Sequence, residues 1–510
     1  MTLGEVFAKS ARKFPDRIAV GDPDRRLTYA VLNERVNRLA NGLAGLGLRR
    51  GDRVATLSRN TTFLAESYLA SLKLGLVNAP IVARATVEDY KGQLELSDPR
   101  ALLFHSEYQE QVAALREFLP ADIILACFGE NPPSFARDYE ELLRKASPAE
   151  VAGGVSEDDE AFLMFTGGTT GKSKGALLTH KNLLWNSLNF MIEAGFPQPG
   201  HVTVYPMQLY HVAGASRFLS YMHAGATFLL SPDFDPERFL RDIERERTNF
   251  ALGNTAIWRM MLDAQRAGKH DTSSVKYILH GHSFLTPALR AELEQELFLN
   301  GQAYVLYALT ESSPGVALLK PGDDPLHYSS LGRPFLSLDV RIGDPLSDQA
   351  LPQGEVGQIL VSGPTVTKGY FRNPESSREA LKGGWLHTGD LGYYDERGYL
   401  YMSDRLKDMI KTGGINVYSA EVEDIIAQHP GVLEAAVIGV HHEKWGETIR
   451  AVVVPRPGAQ VSEKEIIQHC TARLASHKKP TSVVFVESLP KGSFGGKILK
   501  NKLRELYGKA

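Results

Sequence analysis

The chain has 510 residues, which at ~150 residues per domain makes three or four domain-sized units and excludes a small fold held by staples. Lys and Arg total 57 against 60 Asp and Glu, a formal net charge of −3, with 43% of residues hydrophobic and 23% charged. Neither a nucleic-acid coat nor a disordered tail has that balance, and the two cysteines, Cys127 and Cys470, form no C-x-x-C pair and point to a reducing, cytoplasmic setting.

The N-terminal segment MTLGEVFAKSARKFPDR has no basic stretch leading into an apolar core and no small-residue cleavage site, so secretion is not expected. Over residues 28–48, Leu32, Val36, Leu39 and Leu43 recur at helical spacing behind a Thr-Tyr entry, with Gly45 and Gly47 at the end, and predict a surface helix. A strand is expected over 54–57, a helix over 63–74, a strand over 77–82 and a helix over 87–96. Further strands are expected over 101–104, 123–126, 161–165 and 202–205. Strands alternating with helices predict a layered α/β sheet. No run approaches the roughly 18 uninterrupted apolar residues of a membrane-spanning helix, so any membrane contact is expected to be peripheral.

Beyond Asp404 the texture changes to a compact set: a helix over 420–428, strands near 435–440 and 450–454, and a helix over 463–475 opened by a capping box of Ser462 and Glu465. Residues 404–510 hold 16 Lys and Arg and 12 Asp and Glu, a net +4 that leaves −7 for residues 1–403. That asymmetry reads either as surface composition without a role or as a small basic domain that closes over an anion.

The segment 165–175, FTGGTTGKSKG, follows an apolar run and packs four glycines, four Ser or Thr hydroxyls and two lysines into one loop. Backbone N–H groups in such a loop converge on a single anion, and phosphate is the obvious guest. It is not a Walker loop: counting back five from Gly171 lands on Thr166 rather than glycine, and a strand-like stretch over 176–178 precedes the next helix, expected after Thr179.

At this point the chain resembles the adenylate-forming superfamily of acyl-CoA synthetases, firefly-type luciferases and peptide-synthetase adenylation domains. Thr166, Gly167, Gly168, Thr169, Thr170, Gly171, Lys174 and Gly175 match its phosphate loop, with Ser173 where proline is common. Further matches run the length of the chain. Tyr307, Thr310 and Glu311 in YALTES resemble its Y-G-x-T-E motif, GWLHTGDLG with Asp390 its ribose-binding segment, DRLKDMIKTGG its hinge, and PKGSFGGKILK places Lys497 where the family keeps its catalytic lysine. The resemblance implies an α/β fold: a large multi-layer N-terminal domain over 1–403 with β-sheets flanked by helices, holding the ATP and acyl sites, plus a small mobile α+β C-terminal domain over 404–510.

It also implies roles, each with a physical basis. The glycine-rich loop wraps the β and γ phosphates, and Lys172 and Lys174 add positive charge to the backbone donors. Tyr307 lies against adenine, or is a core tyrosine; Glu311 is the Mg2+ ligand, a hard oxygen for a hard cation; Thr310 contacts the phosphate nearest the reacting carbonyl. Asp390 accepts both ribose hydroxyls, and Arg405 serves the ribose or the phosphates. Lys497 stabilises charge that builds as the carboxylate attacks, although Lys491 to Lys497 spans one position more than is usual, Gly495 or Gly496 being the extra residue. Lys407 matches the hinge about which the small domain turns between two half-reactions, and Lys411, Gly413 and Gly414 resemble the face of the CoA tunnel.

The family's acyl pocket draws on the helix after the histidine motif, here His211, Val212 and Ala215, and on strands near Gly253 and Gly281. His211 gates the carboxylate or is a satisfied structural histidine. Val212, Phe218, Ile257 and Met261 would suit a fatty or aryl acid and are equally expected of a core. Where the family has Gly-Gly-Ala this chain has Gly281, His282 and Ser283, and Ala308 replaces the glycine of Y-G-x-T-E. The expectation is a pocket shortened near the carboxylate, unless His282 turns to a core partner. The sequence therefore reads as a cytoplasmic, AMP-forming acyl-CoA synthetase that uses ATP, Mg2+ and coenzyme A on a small carboxylic acid, with no nucleic-acid partner; a homodimer stays open. The alternatives are an acyl-AMP ligase loading a carrier-protein thiol, a phosphate-binding regulator and a P-loop ATPase.

Overall fold

The apolar segments of the first half pair into an eight-stranded sheet. Its order is Gly369–Tyr370, Lys174–Thr179, Glu160–Thr166, Val77–Pro80, Arg53–Leu57, Ala101–His105, Ile124–Phe128 and Arg137–Asp138. The last six strands are parallel, and Lys174–Thr179 pairs antiparallel with both of its neighbours, Glu160–Thr166 and Gly369–Tyr370. Helices between parallel strands cover both faces, which is why these strands read as near-continuous hydrophobic runs: Val54, Ala55, Leu102, Leu103 and Phe104 are fully buried. The computed structural model describes residues 1–151, 154–166, 173–281, 283, 285–491 and 498–508.

Helix boundaries follow side-chain caps. Thr28 accepts from the Val31 N–H and starts the helix Tyr29–Gly45, one residue later than its spacing suggests because a cap residue keeps an extended backbone. Thr61 caps Thr62–Leu74, which ends on Gly75 in the left-handed region. Two smaller sheets complete the first part. One runs Phe250–Gly253, Tyr277–His280, Gln302–Ala308, Gly315–Leu319 and Arg333–Pro334, the first three parallel. The other runs Val202–Tyr205, Thr227–Leu230, Ile18–Gly21 and Arg26–Thr28. This is the expected α/β architecture, with several mixed sheets flanked by helices.

Contacts divide the chain into two units, Met1–Asp339 with Val361–Leu386, and Val340–Leu360 with His387–Ala510. The division falls before the sequence boundary at Asp404, because the strand Leu386–Tyr394 forms a hairpin with Leu400–Arg405 and that hairpin pairs with Gly357–Ser362.

The second unit also holds a sheet of Ile415–Val417, Ile410–Thr412, Gly446–Pro455 and Val432–His442, with Ser482–Phe485 beside Gly446–Pro455. Its long hairpin obeys the period of two: Val437, Ile449, Ala451 and Val453 face the helices Ser419–Ala427 and Glu463–Thr471 through Val422, Ile426, Ile466 and Cys470. Ala436, Ile438, Val440, Val452 and Val454 face the other way, onto Leu489 and Leu503. Ser462 and Glu465 form the reciprocal capping box expected of them, but the helix stops at Thr471, where Arg473 and Leu474 both bond back to the Cys470 carbonyl. Asp404, buried, accepts from both the backbone N–H and the hydroxyl of Ser419, and so caps Ser419–Ala427. Cys127 and Cys470 are free and buried, and burial raises their thiols to about 12 and about 11.

Candidate active site

The glycine-rich loop connects two antiparallel strands, Glu160–Thr166 and Lys174–Thr179, in the register Thr166↔Lys174. Its central residues, Gly167, Gly168, Thr169, Thr170, Gly171 and Lys172, lie outside the described residues. Both of its ends are described: the Thr166 hydroxyl donates to the Lys174 carbonyl at 3.4 Å, and a Cβ on Gly175 would come within 2.7 Å of the Leu163 side chain, which would have to shift to admit it. The exit is a strand, and the helix His180–Glu193 begins only after Thr179, which forms a capping box with Asn182. An exit into a strand is not that of a Walker loop, as the spacing predicted.

Glu311 sits on the short turn Thr310–Ser312 that follows the strand Gln302–Ala308. Its carboxylate Oε1 accepts from the Tyr370 hydroxyl at 2.7 Å, and its carbonyl accepts from the Thr367 N–H at 2.8 Å. The ammonium of Lys174 lies 5.1 Å from the Tyr370 ring centroid. Tyr307, three residues before Thr310, is buried beside a bulge at Ala308, and Ala308 is exposed at the strand end. Tyr370 and Thr367 escaped the sequence reading. The only local signal was the polar aromatic in Gly369-Tyr370-Phe371, between Lys368 and an Asn-Pro helix start.

His211 precedes the helix Val212–Ala224 and makes no side-chain cap; its ring lies edge-on to Tyr210 at 4.4 Å. The approach to it is braced by Asn60, which accepts from the Leu209 N–H and donates to the carbonyls of Met207 and Ser231. A Cβ on Gly214 would lie 2.3 Å from the Gln208 carbonyl oxygen, so the first helical turn closes onto this loop only with glycine. Val212 and Ala215 are buried. Phe218 and Met261 are 0% exposed; Phe218 packs edge-on against Phe228, so these two belong to the core, whereas Ile257 is half-buried.

Gly281 ends the strand Tyr277–His280, which is parallel to Gln302–Ala308 with His280 opposite Val305. A Cβ on Gly281 would meet no described atom within 4 Å. His282 lies outside the described residues. Around it, Trp258 Nε1–H donates to His280 Nδ1 at 3.1 Å, which leaves the proton on Nε2 to donate to the Ser283 carbonyl at 2.8 Å. The Ser283 hydroxyl also meets Thr255 Oγ1 at 3.1 Å.

In the second unit, strand pairing sets Asp390 opposite Arg405. Asp390 is 3% exposed, Arg405 Nε lies 3.4 Å from its Oδ1, and the Thr388 hydroxyl accepts from the Asp390 N–H. Lys407 is exposed, and partial desolvation of its ammonium pushes it below the ordinary range, with Arg405 and Arg504 adding to the effect against Asp408 and Asp390. Its carbonyl accepts from Arg504, which also pairs with Asp408 at 3.0 Å. Lys411 stands in a hairpin whose two-residue turn is Gly413-Gly414, both with positive φ, so glycine is required there. Lys497 lies outside the described residues. The ends of its loop are joined by a bridge between Lys491 and Ile498 and by the Leu499 N–H on the Pro490 carbonyl.

Residues 7–371 match the family model described as AMP-binding enzyme, and residues 421–495 match the AMP-binding enzyme C-terminal domain. The chain belongs to the AMP-binding enzyme family. It is 37% identical over 512 residues to the feruloyl-CoA synthase of an Amycolatopsis species, covering 99% of each chain. It is 34% identical over 514 residues to the long-chain-fatty-acid–CoA ligase FadD13 of Mycobacterium tuberculosis, covering 99% of this chain and 98% of that one. Among solved structures, ATP-bound MatB from Rhodopseudomonas palustris matches with a TM-score of 0.89 at 31% identity, over 100% of this chain and 99% of that one.

This member of the family is an AMP-forming acyl-CoA synthetase. A carboxylate and ATP give acyl-AMP and pyrophosphate, and the CoA thiol then displaces AMP. Among the described residues no group of three or more His, Cys, Asp or Glu gathers as a cation cage, and no helix is long and apolar enough to cross a membrane.

Proposed function

We propose that the synthetase activates an apolar acid, fatty or aryl, with each half-reaction run by the residues that its motifs mark. The observation that carries the adenylation part of this reading is the contact of Tyr370 with Glu311 beneath the ammonium of Lys174. It brings a carboxylate suited to a hard cation beside the exit of the phosphate loop.

Carboxylate attack on the α-phosphorus builds negative charge on the α-phosphate oxygens, and Lys497 supplies an ammonium to that charge. Stabilising charge that exists only in the transition state raises rate rather than mere binding. Thr310 contacts the α-phosphate, Asp390 and Arg405 hold the ribose, and Tyr307 lies against adenine. The donors fit Mg2+, which takes one or two carboxylates plus phosphate oxygens and keeps several waters; Glu311 is the protein ligand. When bound, Mg2+ would supply positive charge to offset that of the phosphates.

Residues 404–510 then turn about Lys407 and withdraw Lys497, while Lys411, Gly413 and Gly414 line the path of the thiol arm. His211 gates the carboxylate, and Val212, Ala215, Gly281, His282, Ser283 and Ala308 shape the acyl site. Among its described members none is Lys or Arg, which favours an uncharged acyl chain. The two buried free thiols support a reducing, cytoplasmic setting.

The test is pyrophosphate release across a panel of fatty, aryl and dicarboxylic acids, with and without CoA. The reading expects release only with an acid present, greatest for apolar acids, and AMP turnover completed by CoA. Preference for a dicarboxylic acid would refute the apolar assignment.

A further inference from the structure

Tyr370 lies in the two-residue edge strand Gly369–Tyr370, paired antiparallel to the strand that leaves the phosphate loop, in the register Tyr370↔Ala176. Its backbone N–H donates to Ser377 Oγ at 2.9 Å and its hydroxyl to Glu311 Oε1 at 2.7 Å. One short strand away in the chain, the Thr367 N–H fixes the Glu311 carbonyl, and the Thr367 hydroxyl donates to the Leu177 carbonyl at 2.6 Å. Glu311 is therefore tied by main chain and by side chain to the edge of the sheet that carries the loop exit.

A glutamate on a short turn has three freely rotating side-chain bonds, and a hydroxyl on a rigid ring removes most of that freedom. Facing a carboxylate oxygen, which only accepts, the hydroxyl acts as the donor. The Lys174 ammonium over the ring couples the same tyrosine to the loop.

We propose that Tyr370 is a positioning residue for adenylation: by holding Oε1 of Glu311 it turns Oε2 toward the magnesium ion that accompanies ATP. Tyr370 touches neither metal nor substrate in this role and acts through Glu311. The inference rests on the reading of Glu311 as the metal ligand, so its test has to separate the two.

The variant is Tyr370→Phe in the full chain, which keeps the ring and its packing and removes only the donor. Two readouts are taken: Mg2+ titrated at fixed ATP in acid-dependent pyrophosphate release, and ATP binding by calorimetry with Mg2+ and with chelator. Outer-shell partners of metal ligands are worth about 10- to 100-fold in metal affinity, so half-saturating Mg2+ is expected to rise about tenfold or more. At saturating Mg2+ kcat recovers, ATP binding in chelator is unchanged, and thioester formation from supplied acyl-AMP is unchanged. A Mg2+ profile identical to wild type overturns the proposal, as does a loss of kcat that Mg2+ does not restore. Glu311→Gln run alongside separates the failures. If it too leaves the Mg2+ profile unmoved, Glu311 is not the ligand; if it shifts the profile and Tyr370→Phe does not, the tyrosine alone is misassigned.

Discussion

Asp390 and Arg405 face each other across the hairpin of Leu386–Tyr394 and Leu400–Arg405, with 3.4 Å between Arg405 Nε and Asp390 Oδ1. The carboxylate is nearly buried, and its N–H is held by Thr388. An oriented carboxylate of this kind accepts two hydrogen bonds at once, which suits the paired hydroxyls of a ribose.

Asp390→Asn keeps the shape and loses the charge. Hydrogen bonds to charged groups contribute about 1.5–3 kcal/mol, so kcat/KM for ATP is expected to fall about 10- to 100-fold. Discrimination against 2′-deoxyATP should shrink at the same time, because one of the two accepted hydrogen bonds is already missing from that nucleotide. Steady-state kinetics with both nucleotides check this; an unchanged ratio would remove Asp390 from the ribose.

Lys407 carries the hinge assignment. Lys407→Pro fixes φ at about −65° and removes a backbone donor, while the Lys407 carbonyl that Arg504 engages is retained. Thioester formation from supplied acyl-AMP is expected to suffer far more than acyl-AMP formation. Separate assays of the two half-reactions decide it, and an undisturbed thioester rate would place the hinge elsewhere.

His282→Gly tests the shape of the acyl site. Gly281, the residue before it, is buried, yet an added Cβ there would meet no described atom within 4 Å. Specificity is a difference in transition-state binding, and kcat/KM for bulkier acids is expected to rise relative to the preferred one. The same ranking of acids in both proteins would show that this histidine does not shape the pocket.

His180 opens the helix His180–Glu193 fully buried, with Nδ1 accepting from the Leu3 N–H at 3.2 Å. Burial pushes its pKa down to about 4, against the charges of Asp159 and Glu5. The unfolded ring titrates near 6.5, so between about 6.5 and 4 the unfolded chain binds the extra proton and stability falls by about 1.4 kcal/mol per unit as pH drops. Above about 6.5 this contribution is fully present. Thermal unfolding of wild type and His180→Gln, about one unit either side of 6.5, is expected to show the smaller pH-dependent drop in the variant. Equal drops would contradict a neutral buried His180.

Much of this was legible because it is local. Ser462 with Glu465 announced a helix start, and the missing glycine five places before Gly171 announced a loop that exits into a strand. What stayed hidden depends on distant partners. Glu311 and Tyr370 meet only through sheet pairing, and a two-residue strand such as Gly369–Tyr370 has no periodicity to detect. Residues 340–360 gave no sign of joining the second unit, since strand partners are set by the whole sheet. Apolar spacing likewise cannot separate a core from a pocket: Phe218 and Met261 read equally as lining or as core, and both are fully buried.

The most direct measurement is Lys497→Ala with each half-reaction assayed alone. In the proposed role the lysine acts on charge formed only as the carboxylate attacks, and losing one such contact costs about 3–4 kcal/mol by analogy with an oxyanion donor. Acyl-AMP formation, read as acid-dependent pyrophosphate release, is predicted to fall by orders of magnitude while CoA thioester formation from supplied acyl-AMP proceeds as in wild type. Equal loss in both half-reactions, or an unimpaired first step, would contradict the account.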